Sequence, residues 1–302
     1  MTQAIREGVH DLSLAEYLAD PAPVPSLTAG IAGLLLDRSP AHAWWKYRED
    51  KASARRDGAI GTVFHAMFLG KGGDYRIIDH PDYRTKAARE ARDEALDAGL
   101  TPITEADAET AHKMCEHAAM QLERHGIGNF TNEPGAAEQT LLWQEGDVWC
   151  RACVDWLPVM SGPLAYIINL KTTTCAEPDW WQRNALRCGY DLSEAHYVRG
   201  IRQTLGIEVR ELFVVVENKP PYALSVNMLP VGALHMAERK RAYAVERWGA
   251  CLASGSWPAY PSKICTLAET PAYHEAQFTE RELSGAYDPE MLDNLIEMVA
   301  PR

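Results

Sequence analysis

The stretch that decides the fold runs from Val154-Asp155-Trp156 to Ile168-Asn169-Leu170-Lys171-Thr172-Thr173. It predicts two strands joined by a short loop, because residues 148–156 are rich in β-forming residues and residues 164–170 are an almost continuous apolar run. The loop between them carries two prolines, a serine and a glycine, which are typical of a turn. Asn169 and Lys171 are two residues apart and therefore share one face of the second strand. A buried strand that ends in a polar residue and a lysine indicates a functional site.

The composition is that of an ordinary soluble globular protein. The chain has 302 residues, of which 46% are hydrophobic and 24% charged, enough for one large domain or two small ones. The net charge of −12 argues against a simple basic nucleic-acid coat, but it does not exclude a local positive surface. No apolar run approaches the ~20 residues that span a bilayer, and the N-terminus lacks the apolar core of a signal peptide. We therefore expect a cytoplasmic protein with no membrane partner.

The cysteines are expected to be reduced thiols rather than a disulfide framework. They are odd in number and scattered along the chain: Cys115, Cys150, Cys153, Cys175, Cys188, Cys251 and Cys265. Cys150 and Cys153 have the spacing of a metal or redox pair. On a strand, however, a separation of three residues puts the two thiols on opposite faces, which argues against such a pair.

The order of Asp155, a loop and Asn169-Leu170-Lys171 resembles the signature of the PD-(D/E)xK nucleases. Two segments most resemble the exonuclease VIII (RecE) branch, which is related to lambda exonuclease. They are Arg151-Ala-Cys-Val-Asp155-Trp156 and Asn169-Leu-Lys-Thr-Thr173. The resemblance covers about residues 26–260. It implies an α/β fold with a central mixed β-sheet flanked by helices. Residues 1–25 are then an N-terminal arm, and residues 261–302 a C-terminal tail with one helix at 289–299.

Three further matches to the family lie outside this hairpin. Gly61-Thr-Val-Phe-His65 resembles a Gly-x-x-x-His helix whose His reaches the metal, although a lone His beside an apolar stripe is more often structural. Glu138 lies in a strand predicted at 135–143, where a site residue and a rim charge are equally compatible with the pattern. Tyr197 matches the Tyr of a Gln-x-x-x-Tyr helix, whose Gln position is occupied here by Ser193.

The resemblance also implies roles for these residues. It predicts Mg²⁺ or Mn²⁺, with two ions, bound by a set of ligands that comprises His65, Asp155, Asn169 and the carbonyl of Leu170. The residues expected to take part in catalysis are Lys171, Asp155, Asn169, Glu138 and Tyr197. Lys171 would orient or deprotonate the attacking water. The residues expected to contact DNA are Arg183, Arg187, Ser193 and Arg199.

Asn169 departs from the family pattern, which has Asp or Glu at this position. The exchange keeps a carbonyl oxygen but removes a negative charge, so a cation should bind more weakly. Three explanations compete: an engineered inactivating change, drift to an inactive or regulatory binder, and a tolerated variant with Glu138 compensating. The isosteric nature of an Asp-to-Asn exchange favours the first.

The activity implied by the resemblance is digestion of linear double-stranded DNA from the 5′ end, leaving a 3′ single strand, in phage-type homologous recombination. Relatives form rings, so a homo-oligomer (a trimer or tetramer ring) and a single-strand annealing protein of the RecT/Bet-like kind are the expected partners. The main rival is a catalytically dead DNA-end-binding protein of the same fold. A third reading is an α/β enzyme of another kind, in which the Asn169-x-Lys171 spacing is accidental.

Other elements follow from periodicity and turn signals. We expect a short strand at 75–78 and two strands, at 212–217 and 223–228, joined through Pro220-Pro221. The expected helices span 80–98, 104–125, 178–206 and 231–252.

Overall fold

The structure is a computed structural model in which residues 6–52, 59–159 and 165–264 are described, together with residues 276, 279, 280 and 283. The chain divides into two compact units, Met1–Ala259 and Tyr260–Arg302. The first unit contains all the elements discussed below. The helix predicted at 289–299 and most of the loop between the two strands at the predicted site lie outside the described residues.

A mixed six-stranded sheet forms the centre of the first unit. The strands are β1 (Gly8–His10), β4 (Gly135–Glu145), β5 (Val148–Pro158), β6 (Ala165–Thr173), β7 (Val209–Glu217) and β8 (Leu224–Asn227). Their order in the sheet is β1-β4-β5-β6-β7-β8, and only the β6–β7 pair among these neighbours is parallel. A separate two-stranded parallel sheet pairs β2 (Tyr75–Ile78) with β3 (Thr101–Thr104). The predicted α/β architecture with a central mixed sheet is confirmed.

Helices cover both faces of the large sheet. In the described part of the chain they are α1 (Leu14–Leu18), α2 (Ala29–Asp37), α3 (Pro40–Ala52), α4 (Ala59–Leu69), α5 (Lys86–Asp97), α6 (Glu105–Leu122), α7 (Pro178–Arg187), α8 (Tyr190–Leu205) and α9 (Val231–Ser254). One core packs α2, α3, α8 and α9 against the sheet, with Trp143 and Trp248 fully buried in it. A second core packs α4 and α6 against the other face, around Phe64 and Leu170. Helices therefore cover both faces of the large sheet.

The register of the sheet places three polar residues side by side. Ala137 pairs with Trp156 and Gln139 with Val154, so Glu138 lies opposite Asp155. Trp156 pairs with Ile168 in the antiparallel contact of β5 with β6, which puts Asp155 opposite Asn169. The sheet thus brings together residues from three strands that are up to 31 positions apart in the sequence.

The regular alternation of side chains breaks at this row. Val154 packs in the first core and Trp156 in the second, although residues two apart on a regular strand face the same side. Glu138, opposite the break, has a φ of 50°, in the left-handed region that side chains other than glycine rarely adopt. The two strands therefore twist locally where Glu138 and Asp155 meet.

The segment expected to form an N-terminal arm contributes to this unit. β1 pairs with β4 in antiparallel fashion, and Asp20 forms a buried ion pair with Arg151 of β5 at 3.0 Å. The Oγ atom of Ser26 accepts a hydrogen bond from Arg151 at 2.5 Å. Arg151 therefore anchors this segment to the strand that carries Asp155.

Several predicted elements differ in extent from the observed ones. The helix predicted at 178–206 consists of α7 and α8, because Gly189 adopts a φ of 74° that ends one helix and precedes the next. Strand β6 extends through Lys171 to Thr173. The start predicted at Thr104 is confirmed, since its hydroxyl accepts a hydrogen bond from the Asp107 backbone as an N-cap does. Among the described residues, no helix combines the length and apolar character needed to cross a membrane.

Candidate active site

Helix α4 brings His65 against the end of β6. Gly61, one turn before His65, faces Thr172, and a Cβ atom at Gly61 would lie only 2.9 Å from the Thr172 hydroxyl oxygen. The absence of a side chain therefore lets α4 approach the strand closely. The result is that His65 Nε2 lies 2.7 Å from the carbonyl oxygen of Leu170. This is a physical reason for the Gly-x-x-x-His spacing, since residues four apart lie on one helix face.

Asp155 is held by the same strand. Its Oδ2 atom accepts a hydrogen bond from the backbone N–H of Leu170 at 2.7 Å and lies 3.9 Å from His65 Nδ1. The backbone of Leu170 thus contacts both predicted ligands, His65 through its carbonyl and Asp155 through its N–H. The carbonyl oxygen can only accept, so His65 carries its hydrogen on Nε2 in this arrangement.

Glu138 completes a cluster of ionisable groups. His65, Glu138 and Asp155 each offer a ligand atom, and these atoms all lie within 4.8 Å of one another. Glu138 Oε2 also accepts a hydrogen bond from the Cys153 thiol at 3.2 Å. The backbone strain at Glu138 coincides with this cluster, and residues held in such sparsely populated conformations concentrate at functional sites.

The donor set fits a hard divalent cation. Two carboxylates, an imidazole and the Leu170 carbonyl are ligand types that Mg²⁺ and Mn²⁺ accept. His65 Nε2 and the Leu170 oxygen lie 2.7 Å apart, so both could contact one cation. A cation there would replace the shared hydrogen, because a ligating imidazole nitrogen carries no proton.

Asn169 and Lys171 form a separate chain of contacts beside this cluster. The Lys171 ammonium donates a hydrogen bond to Asn169 Oδ1, and the Asn169 amide nitrogen donates to Glu211 Oε1 at 2.5 Å. Lys171 Nζ also lies 5.4 Å from the centre of the Tyr190 ring, within the range of a cation–π contact. The oxygen of Asn169, its only ligand atom, thus accepts a hydrogen bond from Lys171.

Burial shapes the ionisation of the groups behind the site. It raises the pKa of the Glu211 carboxyl to about 8, although the nearby Lys171 ammonium lowers that pKa. It also raises the pKa of the Tyr197 phenol well above its ordinary value, with Tyr17 and Asp155 acting in the same direction. Tyr197 therefore lies beside the site as a neutral phenol.

A cavity of about 350 Å³ opens over the cluster. It is lined by His65, Glu138, Leu170 and Lys171, among others. A second groove, of about 320 Å³, lies on the far side of Lys171 and Tyr190, which line both spaces. Arg187 and Ser193 line that second groove, so the structure places these two predicted DNA contacts next to the site.

The other two arginines are placed differently. Arg183 is exposed on α7 and lines neither of the two spaces. Arg199 Nε lies 3.5 Å from Glu145 Oε2, at the end of β4 seven residues beyond Glu138. At a rise of about 3.4 Å per residue, those seven residues span roughly 24 Å. The structure does not bring Arg199 to the site.

Reasoning from sequence missed two residues that contact the site. Glu211 lies in β7, one position before the strand predicted at 212–217, and a glutamate in the run Val209-Arg-Glu-Leu-Phe was the available signal. Tyr190 begins α8 directly after Gly189, and no residue pattern indicates its contact with Lys171.

Comparison with known proteins gives a consistent classification. Residues 35–270 match a family described as "PDDEXK-like domain of unknown function (DUF3799)". The fold is similar to that of a protein from Eubacterium rectale, solved by crystallography and named "Putative exonuclease", with a TM-score of 0.54 and 11% sequence identity. The similarity covers 87% of this chain and 96% of that protein. None of the curated proteins matches the chain. On the extent of the family match, the chain belongs to the PDDEXK-like family DUF3799.

Proposed function

We propose that this protein is a metal-dependent nuclease that hydrolyses phosphodiester bonds in linear double-stranded DNA. The observation that carries the proposal is the cluster of His65, Glu138 and Asp155, whose ligand atoms lie within 4.8 Å of one another. His65 and Glu138 of this cluster line a cavity together with Lys171. The family description and the name of the structural neighbour support a nuclease of this fold.

The residues present suit the chemistry of phosphodiester hydrolysis. The reaction needs a nucleophilic water, in-line geometry and neutralisation of charge on the phosphate, and a bound divalent cation supplies part of each. His65, Glu138 and Asp155, with the Leu170 carbonyl, would hold that cation. Lys171 lines the same cavity and carries hydrogen-bond donors that can stabilise the negative charge developing on the phosphate oxygens.

The finer activity rests on the resemblance to exonuclease VIII. We propose digestion from the 5′ end that leaves a 3′ single strand, by a homo-oligomeric ring that works beside a single-strand annealing protein in phage-type recombination. An acidic chain, with a net charge of −12, suits a ring with an acidic exterior and a local positive bore. Light scattering coupled to size-exclusion chromatography tests the ring, and a monomer would contradict it.

The test of the activity is a cleavage assay with end-labelled DNA. Linear and covalently closed circular duplexes of the same sequence are incubated with the protein and Mg²⁺, Mn²⁺ or EDTA, with the label on either the 5′ or the 3′ end. We expect metal-dependent loss of the linear duplex only, with early release of the 5′ label. The Lys171→Ala variant should lose the activity while it still binds DNA. Intact linear DNA under all conditions would overturn the proposal.

Asn169 favours a second candidate, a DNA-end-binding protein without catalysis. Its amide oxygen accepts a hydrogen bond from Lys171 and its side chain carries no charge, so the site has one carboxylate fewer than the family motif. This candidate predicts binding to linear duplex ends with little metal dependence and no cleavage. An electrophoretic mobility assay with and without EDTA, run beside the cleavage assay, separates the two candidates.

A further inference from the structure

The contact between Asn169 and Glu211 joins two neighbouring parallel strands. Asn169 pairs with Phe213 and Ile167 pairs with Glu211, so Glu211 is the diagonal neighbour of Asn169 on the same sheet face. Both side chains are almost completely inaccessible to solvent, at 1% for Asn169 and 0% for Glu211. Their separation of 2.5 Å is that of a direct hydrogen bond in the interior of the sheet.

The chemistry of the two partners of Asn169 accounts for an amide at this position. The Lys171 ammonium can only donate hydrogen bonds, and a carboxyl oxygen of Glu211 accepts one. The amide has an acceptor oxygen for Lys171 and a donor nitrogen for Glu211, so it fits between them in one orientation. An aspartate at 169 would instead set two carboxyl groups against each other, which requires a proton between them.

We infer that Glu211 is a positioning residue of the site, which fixes the orientation of Asn169 and, through it, the place of Lys171. Glu211 thus acts on the site from the next strand, through the amide at position 169. The inference rests on the proposed nuclease function for its catalytic meaning. The contact itself is independent of that function.

The alternative is that Glu211 has a structural role alone, as part of a buried hydrogen-bond network. Glu194 of α8 accepts hydrogen bonds from the Glu211 backbone N–H at 3.2 Å and from Arg210 at 3.0 Å. The Glu211 carboxyl, however, stands apart from this pair. Its Oε1 bonds to Asn169, and its Oε2 has no hydrogen-bond partner among the described residues. Within the described part of the chain, the Glu211 carboxyl therefore hydrogen-bonds to one side chain, that of Asn169.

The experiment exchanges the amide at position 169 and the carboxyl at position 211, first one at a time and then together. Four proteins are compared: the unchanged chain, Glu211→Gln, Asn169→Asp, and the double variant Asn169→Asp/Glu211→Gln. Single-turnover cleavage of linear duplex DNA with Mn²⁺ gives the rate, and thermal unfolding reports whether each protein is folded. Glu194→Gln is the matched control, since it alters a buried carboxyl of the same network that does not touch Asn169.

We expect Asn169→Asp to lower the cleavage rate at least about tenfold, because two carboxyl groups then face each other. We expect a similar loss for Glu211→Gln, because its NH₂ group would either face the Asn169 NH₂ or lie at the place of Oε2, which has no hydrogen-bond partner among the described residues. The double variant again has one carboxyl and one amide, and its rate should return to within about threefold of the unchanged chain. The Glu194→Gln control should change the rate less than about twofold. A rate unaffected by Glu211→Gln, a gain from Asn169→Asp alone, or no recovery in the double variant would overturn the inference.

A second readout keeps the inference testable if no protein cleaves DNA. Acylation of Lys171 by acetic anhydride is followed by mass spectrometry, with the exposed Lys113 as reference in the same sample. Glu211→Gln should raise the relative rate at Lys171 severalfold, because Lys171 loses its fixed acceptor, and the double variant should restore the rate. Absence of cleavage with this pattern would contradict the proposed nuclease alone. An unchanged acylation rate would overturn the positioning role.

Discussion

A Cβ atom at Gly61 would lie 2.9 Å from the hydroxyl oxygen of Thr172, closer than such atoms approach in folded proteins. Gly61→Ala should therefore push α4 away from β6 and move His65 from the Leu170 carbonyl. We expect a loss of about 1–3 kcal/mol in the free energy of unfolding, as in other overpacked cores, and weaker Mn²⁺ binding. Urea denaturation and titration with Mn²⁺ monitored by electron paramagnetic resonance measure the two effects.

Gly232→Ala provides the matched control for this substitution. Gly232 lies in α9, and a Cβ atom there would meet nothing within 4 Å. Alanine is the better helix former by up to about 1 kcal/mol, so this variant should be as stable as the unchanged chain or more stable. If Gly61→Ala behaved like Gly232→Ala in both measurements, the close approach of α4 would not position His65.

Because the backbone at Glu138 is strained, the glycine variant at this position should be more stable than the alanine variant, which is the reverse of the usual order in a strand. At a φ of 50°, glycine avoids a steric cost of about 1–2 kcal/mol that alanine pays. Glu138→Gly should therefore unfold at higher urea than Glu138→Ala, while both bind Mn²⁺ more weakly than the unchanged chain. At Gln144, an exposed position in regular β4 backbone, the order should reverse. If alanine were more stabilising than glycine at both positions, the backbone at Glu138 would be unstrained.

What could be predicted from the sequence depended on how local each signal was. The β5 and β6 strands carry Asp155 and Lys171 within one hairpin, and the Gly61-to-His65 spacing lies within a single helix. Residue patterns therefore predict these two strands, this helix and the order of their site residues. The structure brings His65, Glu138 and Asp155 together.

The missed residues depend on register, which residue patterns do not specify. Glu211 reaches Asn169 from 42 residues away, through the alignment of β6 with β7. A slip of one residue would put Glu211 on the opposite face. Arg199 is expected near DNA as one of the arginines along the helix predicted at 178–206, but helical periodicity does not show which end of the sheet a residue approaches. Its partner Glu145 could be identified only in three dimensions.

His196 predicts a loss of stability in mild acid. It is fully buried, and this burial lowers the pKa of its imidazole from 6.5 to about 4. The unfolded chain takes up a proton below pH 6.5 while the folded chain does not, so stability falls as the pH drops from about 6.5 towards 4. A pKa lowered from 6.5 to about 4 makes this loss a few kcal/mol.

The His196→Gln variant isolates this contribution from that of the carboxylates. Gln can still donate to the Arg151 carbonyl, which His196 contacts at 3.1 Å, but it does not titrate. The difference in unfolding free energy between the two proteins should be constant above pH 7 and should shrink below pH 6.5. A difference that is independent of pH would contradict a neutral, buried His196.

The two predicted DNA contacts Arg187 and Arg199 should behave differently. Arg187 is exposed and lines the groove that shares Lys171 and Tyr190 with the cavity of the site. Arg199 faces Glu145, roughly 24 Å from Glu138 along β4.

Each phosphate contact contributes about 0.9 to the slope of log K against log salt concentration. Arg187→Ala should therefore weaken binding of linear duplex DNA and flatten this slope by about 0.9, whereas Arg199→Ala should leave the slope unchanged. Fluorescence anisotropy at several salt concentrations, in Ca²⁺ to prevent cleavage, measures both. Equal changes in the two variants would mean that DNA runs past the far end of β4 as well, and the path proposed through the groove at Arg187 would have to be abandoned.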